Sequence, residues 1–487
     1  MPNYSFKSDE SFLEKIAIGA VGTNQVFTDL QLQGHQPLEL ERGSKSYKIW
    51  KTIKIKRIRV PDILCVACGR RVESRAKTTL ELSMSHSTSD PTRTWDYGLD
   101  DEDYVALVVC HKIGDKPIDV QAEELVQYAS VYELRIAESN GTVVFVQPKG
   151  AEEGFEARVR WPASIARDAG IISSITPERV QYKRLSDNHT ITASLVRGSF
   201  TLRPLVSVGQ HIVTNQIIGA VVPIARTFSC SPKVTEEYYL GLLQNPSHSK
   251  RYAAAKALAF FPSEKVAQEL REKVAQIDEH IYIRLEAAAT LAKQGDTAGT
   301  DFIKSCLVDQ LLQPKLEAVI IMSEISSEIT DQLLIETLYD ETQHPEIRAG
   351  AAWALGELRN KAAMTALIDS FVAINEEIRI EAARALAKLA AQFTPEITHH
   401  LSQSTPAKRP GIAWALSKSG KFMVQDMLNA LVDEDARQWV AYILGTQDQQ
   451  RWVHEIEQLR AKDTEMYFAV TVLWKVITSW IYGLEEY

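Results

Sequence analysis

The sequence predicts a multidomain chain: an N-terminal α/β domain over residues 1–117, a central β-rich, barrel-like domain over 118–230, and a C-terminal all-α solenoid over 231–487. Three observations carry this. A motif of a basic residue, alanine three or four positions on and a large apolar residue at +7 recurs through the second half. Short alternating runs separated by Gly, Asn and Pro fill 118–228. A helix-periodic stretch followed by strand-like runs opens the chain.

Taken in order, "DESFLEKIAIGAVGTNQVFTDLQLQGH" (9–35) has apolar residues at helical spacing behind an acidic start, and predicts one or two helices. "QPLELERG" (36–43) alternates as a strand does, and "SYKIWKTIKIKRIRV" (46–60) is a basic, strand-like stretch. "PDILC" and "RRVESRAK" form two short strands around the turn "VACG". After a polar loop (83–103), "DYVALVVC" (103–110) is a buried strand.

The hairpin carries the most chemistry. With its turn centred between Ala67 and Cys68, residues whose numbers sum to 135 lie opposite one another, among them Asp62 and Glu73. Opposed residues on one face sit about 4.5–5.5 Å apart. Two carboxylates that close repel unless a cation lies between them, and a divalent, oxygen-liganded metal such as Mg2+ is the natural one. Glu73, Arg75 and Lys77 share a face by the period of two. A cation beside a metal-bound carboxylate can orient water and stabilise phosphate charge. The alternative is a hairpin whose charges pair internally, Glu73 with Arg57 or Arg59 and Asp62 with Arg71.

Cys65 and Cys68, at a tight turn followed by Gly69, have the shape of half a structural zinc site. Cys110 and His111, at the end of the strand expected beside the hairpin, are the candidate completing ligands, with His86 a weaker one. Both can ligate one Zn2+ only if the strand ends there, because adjacent strand residues point to opposite faces. The alternative is a pair of reduced, partly buried thiols.

In the middle segment, "PLVSVGQHIVTNQIIGAVVPI" (204–224) resembles the hairpin pair of a biotinyl-like barrel. It lacks the lysine that a carrier domain needs at its tip, which leaves a structural or docking barrel. The repeat then begins. Its anchors are Arg251, Arg284, Lys315, Arg348, Arg379, Arg409 and Arg437, spaced 33, 31, 33, 31, 30 and 28 residues apart. The +3, +4 and +7 positions form one helix stripe, and alanine there lets neighbouring helices approach. Helix pairs that cannot bury a face alone stack into a solenoid. These motifs resemble HEAT repeats of the short kind found in bilin-lyase proteins, over about residues 232–487 and about seven to eight repeats. The resemblance implies a fold and an interaction surface for a protein partner; lyase chemistry does not follow from it. The aromatic end, "MYFAVTVLWKVITSWIYGLEEY", lacks the alanine stripe and suits a C-terminal cap.

Net charge is −9, yet from Arg42 to Lys77 six lysines and six arginines face only Asp62 and Glu73. So basic a block in an acidic chain ordinarily faces a polyanion. Its candidate nucleic-acid contacts are Lys48, Lys51, Lys54, Lys56, Arg57, Arg59, Arg70 and Arg71. No apolar run is long enough to span a membrane, no signal peptide opens the chain, and five cysteines suit a reducing compartment, so a cytoplasmic protein is expected. A Walker loop, a dinucleotide fingerprint, a kinase signature and a Gly-x-Ser-x-Gly elbow are all absent from the sequence.

Pro61-Asp62, a gap, then Glu73-x-Arg75-x-Lys77 resembles the PD-(D/E)xK restriction-endonuclease-like superfamily over residues 9–112. The resemblance implies a helix followed by a mixed sheet, with Asp62 and Glu73 binding Mg2+ and Arg75 or Lys77 taking the place of the motif's lysine. Arg75 occupies that position here, and Lys77 lies one strand repeat further on. Glu39 or Glu41 would supply a further carboxylate. On that reading the chain is a metal-dependent nuclease, with DNA favoured over RNA, in a prokaryotic restriction or antiphage defence system. The alternatives are a non-catalytic nucleic-acid-binding scaffold and a protein-binding adaptor.

Overall fold

The structure, a computed structural model, describes residues 9–41, 53, 58–114, 118–147, 156–421, 427, 433–447 and 449–483. The chain divides into two units: Met1–Ile49 with Lys56–Glu269, and Trp50–Ile55 with Leu270–Tyr487.

The first unit opens with helix α1 (Asp9–Leu32) and the strands β1 (Pro37–Glu39), β2 (Ile63–Cys65), β3 (Arg71–Lys77), β4 (Ser83–His86), β5 (Tyr104–Lys112) and β6 (Val120–Ser130). Five of them form a mixed sheet in the order β1-β2-β3-β5-β6, antiparallel except for the parallel pair β3 and β5. The sheet thus takes its last strand from beyond residue 117. Helix α1 covers one face, where Ala17, Val26 and Leu30 pack against Ile63, Val72, Ala106 and Val108. Gly22 marks the closest approach, since a Cβ there would lie 2.2 Å from the Cβ of Ala76. On the other face Val105, Leu107 and Val109 join Leu82, Met84, Trp95 and Trp161 in a second core. Strand β5 is therefore buried on both sides, which is why its sequence is an unbroken apolar run.

Helix α2 (Val131–Ser139) and strands β7 (Val144–Val146) and β8 (Ala157–Arg160) follow, with β4, β8 and β7 forming a small sheet. The strands β9 (Ala163–Ile165), β10 (Gly170–Ile175), β11 (Arg179–Arg184), β12 (Thr190–Ser194), β13 (Val196–Arg197), β14 (Phe200–Thr201), β15 (Arg203–Pro204), β16 (His211–Ile212) and β17 (Ile217–Ala220) complete the β-rich part. They form separate sheets, β12-β11-β10-β16, β13-β14 and β15-β17-β9, around Ile172, Val180, Tyr182, Leu195 and Ile218. The expected barrel is not closed among the described residues. β16 adds to β10 and β17 to β9, each a strand from much earlier in the segment, so the anticipated 204–224 hairpin is split between two sheets.

The rest is helical: α3 (Glu236–Leu242), α4 (His248–Ala257), α5 (Glu264–Ala275), α6 (Ile281–Lys293), α7 (Thr297–Leu307), α8 (Leu312–Met322), α9 (Glu328–Tyr339), α10 (Pro345–Leu358), α11 (Met364–Asp369), α12 (Glu376–Ala390), α13 (Thr394–Gln403), α14 (Arg409–Ser419), α15 (Glu434–Gly445), α16 (Gln449–Lys462) and α17 (Thr464–Gly483). The seven motif copies fall on α4, α6, α8, α10, α12, α14 and α15. In the second unit α8 packs on α6, α10 on α8 and α12 on α10. Ala287, Ala288, Ala318, Ala351, Ala352 and Ala382 are fully buried there, as the stripe predicts. No described helix is long and apolar enough to cross a membrane.

The basic anchor has a physical task that spacing alone does not reveal. Arg284 Nε donates to the carbonyl of Val274 at 2.8 Å, and Arg348 Nε to that of Leu338 at 2.9 Å. Arg379 Nη1 donates to the carbonyls of Ala373 and Ile374 at 2.7 and 2.9 Å. Each guanidinium satisfies orphan carbonyls at or beyond the end of the preceding helix, where a positive charge is also favoured. Arg379→Met, which keeps an apolar stem but no donor, is expected to cost about 1.5–3 kcal/mol, read as a lowered midpoint in urea unfolding.

Candidate metal centre and carboxylate face

The turn after β2 is built by backbone geometry. Gly69 N donates to the Cys65 carbonyl and Cys65 N to the Arg70 carbonyl, both at 2.8 Å. Gly69 has φ +75°, and a Cβ there would meet the Tyr238 ring at 2.8 Å, so the position after Cys68 requires glycine. Both thiols consequently point to one side of the turn. There they meet two residues from distant parts of the first unit, and one ligand atom each from His35, Cys65, Cys68 and Cys230 lies within 4.8 Å of the others. Cys65 Sγ is 3.6 Å from Cys230 Sγ, and Cys68 Sγ is 3.7 Å from His35 Nδ1.

Each member is held from outside. His35 Nε2 lies 3.1 Å from the Phe228 carbonyl, which orients the ring with Nδ1 toward the thiols. Phe228 stacks on Tyr104 at 4.2 Å and meets the ring of His35 at 4.5 Å, which brings the chain to Cys230. Gln36 N donates to Cys65 Sγ at 3.3 Å, and Lys233 Nζ to Cys230 Sγ at 3.0 Å. The hydrogen bond with the Cys68 thiol, helped by those from His35 and Gln36, lowers the Cys65 pKa to about 3. The same bond, and then burial, raises the Cys68 thiol. A ready thiolate, two further thiols and an imidazole are the donor set of a closed tetrahedral zinc site.

Cys65 and Cys68 therefore belong together as expected, but Cys110 and His111 are not their partners. Cys110 is buried on the α1 side of the sheet, its Sγ 3.8 Å from the Ile18 carbonyl, and burial raises its pKa to about 11. His111, one residue on, points the other way and lies 2.5 Å from Glu123 Oε1 at the exposed end of β5. The alternation of side chains along a strand separates the two. His86 Nδ1 accepts from the Trp95 amide and takes no part in the cluster.

The hairpin register is the expected one: Ile63 faces Val72 and Leu64 faces Arg71, both pairs summing to 135. Val72 and Ala76 face α1, so Glu73, Arg75 and Lys77 occupy the opposite face. Asp62 Oδ2 accepts from the Ser74 amide at 2.7 Å, taking the place of a strand carbonyl where β2 has not yet begun. Its pKa is raised well above 3.8, first by burial and then by the charges of Glu73 and Glu41. Glu73 pairs with Arg75 at 2.8 Å. Lys77 turns away, with Nζ 2.6 Å from Ser83 Oγ and 3.6 Å from Glu81, and burial lowers its pKa to about 8. Asp62, Glu73 and Arg75 are thus brought together, with Glu41 within electrostatic reach, while Lys77 is committed elsewhere.

Of the basic block, Lys48, Lys51, Lys54, Lys56 and Arg57 lie outside the described residues. The described members are engaged internally. Arg71, 4% exposed, binds Asp103 at 2.6 Å and Asp100 at 2.8 Å, so the alternative pairing of Asp62 with Arg71 does not form. Arg59 Nη1 donates to the Thr94 carbonyl at 2.7 Å, and Arg70 to the Ser231 carbonyl at 3.3 Å.

Comparison with known proteins bears on the helical part. Residues 347–372 match the PBS lyase HEAT-like repeat. This stretch is a HEAT-like repeat. It spans α10 and reaches just past α11, and the other HEAT-like copies are read from the recurrence of its pattern. Solved structures similar to the chain include the complex of CpcE and CpcF of phycocyanin lyase from Nostoc sp. PCC7120, at 17% identity, 50% of this chain, 96% of that chain and TM-score 0.26. Human deoxyhypusine hydroxylase in complex with glycerol matches at 16% identity, 43% and 83% coverage and TM-score 0.19. A designed armadillo repeat protein matches at 17% identity, 38% and 100% coverage and TM-score 0.23. No curated protein matches the chain significantly.

Asp62 has a consequence for stability. Its folded pKa is raised, so between 3.8 and that raised value the native state holds the extra proton. Stability from this group is present at low pH and is lost as pH rises through the folded value. Asp62→Asn keeps an acceptor for the Ser74 amide and removes the loss. It is expected to raise the thermal midpoint at pH 7 by about 2–4 °C and to flatten the decline seen in melts across the acid range.

Proposed function

We propose that the chain is a binding scaffold in which the HEAT-like repeats present a surface to a protein partner and the N-terminal unit is a metal-stapled platform. The observation that carries this reading is the recurrence of one capped helix pattern through seven copies, a unit that stacks rather than catalyses. The carboxylate face supports it from the other side: Glu73 is neutralised by Arg75, and Lys77 serves Ser83 and Glu81. Purified full-length protein is expected to leave supercoiled plasmid intact in Mg2+ or Mn2+, at the same background as the Asp62→Ala/Glu73→Ala double variant. Cleavage by the wild type that the double variant lacks would overturn this reading.

The staple is zinc, held by His35, Cys65, Cys68 and Cys230. The supporting chemistry is three thiols and one imidazole at a preset spacing, with the histidine's second nitrogen fixed by a carbonyl. Elemental analysis of purified protein is expected to give one zinc per chain. Cys230→Ser should lower that content and the thermal midpoint together, whereas Cys110→Ser should leave the zinc content unchanged.

A second reading has a specific observation in its favour. Two carboxylates, Asp62 and Glu73, interact on a sheet of the order β1-β2-β3-β5-β6, with Asp62 destabilised as an anion first by burial and then by Glu73 and Glu41. That is the arrangement in which Mg2+ would be welcome, and it favours a metal-dependent phosphodiester hydrolase as the second reading. The plasmid assay separates the two readings.

A further inference from the structure

In the second unit the chain turns from one repeat into the next after α5, α7, α9 and α11, and each turn leaves large apolar side chains in water. Ile374 is 100% exposed, Ile277 88%, Val308 78% and Leu311 66%, and Tyr339 and Val372 are exposed as well. Three of them stand seven residues before the basic anchor of their repeat: Ile277 before Arg284, Val308 before Lys315 and Val372 before Arg379. Exposed apolar residues scattered singly need no account, but a series recurring at one place in successive repeats marks an interaction surface.

The four turns lie along one edge. They lead into α6, α8, α10 and α12, which pack one on the next. Side chains also join neighbouring turns directly: Lys315 Nζ donates to Gln343 Oε1 at 3.2 Å, and the Tyr339 hydroxyl to Asp369 Oδ2 at 2.8 Å. Helices in contact sit about 8–10 Å apart, which sets the spacing of the apolar groups along the edge.

The outermost charge of this edge has one sign. Residues 276–281, 308–312, 339–345 and 372–377 contain no lysine or arginine. Asp278, Asp309, Asp340, Glu341, Glu376 and Glu377 stand there exposed or part-exposed. The anchors beneath them are half-buried, and Arg284, Arg348 and Arg379 donate to the carbonyls of Val274, Leu338, Ala373 and Ile374. Those carbonyls are thereby engaged, which disfavours an extended peptide that would need backbone acceptors. A helix satisfies its own backbone and needs only apolar contact and counter-charge. Seven helical residues advance about 10.5 Å, close to one step of the edge.

We propose that this apolar, acidic edge is the docking surface of the repeats, and that its occupant is an amphipathic, lysine- or arginine-rich helix of a protein partner. The apolar side chains of that helix recur every seven residues and meet Ile277, Val308, Val372 and Ile374, while its cations face the flanking carboxylates. The proposal rests on the scaffold reading and names its partner class.

The test uses the full chain and a fluorescent synthetic peptide of four leucine–lysine–alanine heptads, with leucine at the first and fourth positions of each. A peptide of the same composition, scrambled so that leucine forms no helix face, is the control. Saturable binding of the first peptide is expected in fluorescence anisotropy. Combining Ile277→Ser, Val308→Ser, Val372→Ser and Ile374→Ser should weaken it at least about tenfold and leave the thermal midpoint in place, because all four side chains are exposed. Phe468→Ser with Val472→Ser, equally exposed on α17, should leave binding unchanged. Should the fourfold variant misfold, Ile374→Asp alone, at a fully exposed position, is expected to weaken binding at least about threefold. The proposal is overturned by no saturable binding to wild type, by equal binding of the scrambled peptide, or by affinity that the edge substitutions do not change. These outcomes are independent of the plasmid assay, so failure here leaves the scaffold reading standing.

Discussion

The parallel pairing of β3 with β5 is the constraint on which the N-terminal unit depends. It sets β5 between two cores, with Ala106, Val108 and Cys110 under α1 and Val105, Leu107 and Val109 against Trp95 and Trp161. The same pairing fixes which side chains of β3 are apolar. Val72 and Ala76 meet the helix, and Glu73, Arg75 and Lys77 are obliged to lie on the other face, where each must find a counter-charge or a hydrogen bond. The charged face is therefore a by-product of a packing decision made on its reverse side. Its half-buried setting is also what makes Asp62 an unhappy anion. Any chemistry there exploits a strain that the fold has already accepted.

The hairpin was legible because its information is local. A two-cysteine turn followed by glycine fixes the register, and the register fixes the faces, so the 135 rule survives intact at Ile63–Val72 and Leu64–Arg71. The repeat was legible because periodicity needs no knowledge of contacts. The cysteine site was only half legible. Cys65 and Cys68 announce themselves by spacing, but His35 sits in the polar turn between α1 and β1, and Cys230 sits in a connector, 165 residues from Cys65. The available signal was weaker: of the remaining cysteines only Cys230 lacks an apolar run around it. Cys110 sits inside the buried strand, and such a thiol is a packing group. The barrel expectation failed for the complementary reason. Alternation identifies strands, but which strand pairs with which is decided by loops and bulges that leave almost no trace in composition.

In the helical unit the recurring arginine and the recurring alanine do different work. Alanine permits approach, and arginine closes the carbonyl end of the helix before it, as Arg284, Arg348 and Arg379 each do. Because both are needed once per repeat, one motif encodes packing and termination together.

The position of Cys230 also bears on biogenesis. Three members of the His/Cys cluster have been synthesised once residue 68 is made, but the fourth follows the whole β-rich segment. At usual rates of synthesis the 165 residues between Cys65 and Cys230 take roughly 8–33 s to produce. Throughout that interval the emerging chain carries an incomplete donor set, open to oxidation or to the wrong partner. The cluster can close only when the intervening strands have folded well enough to deliver the last cysteine.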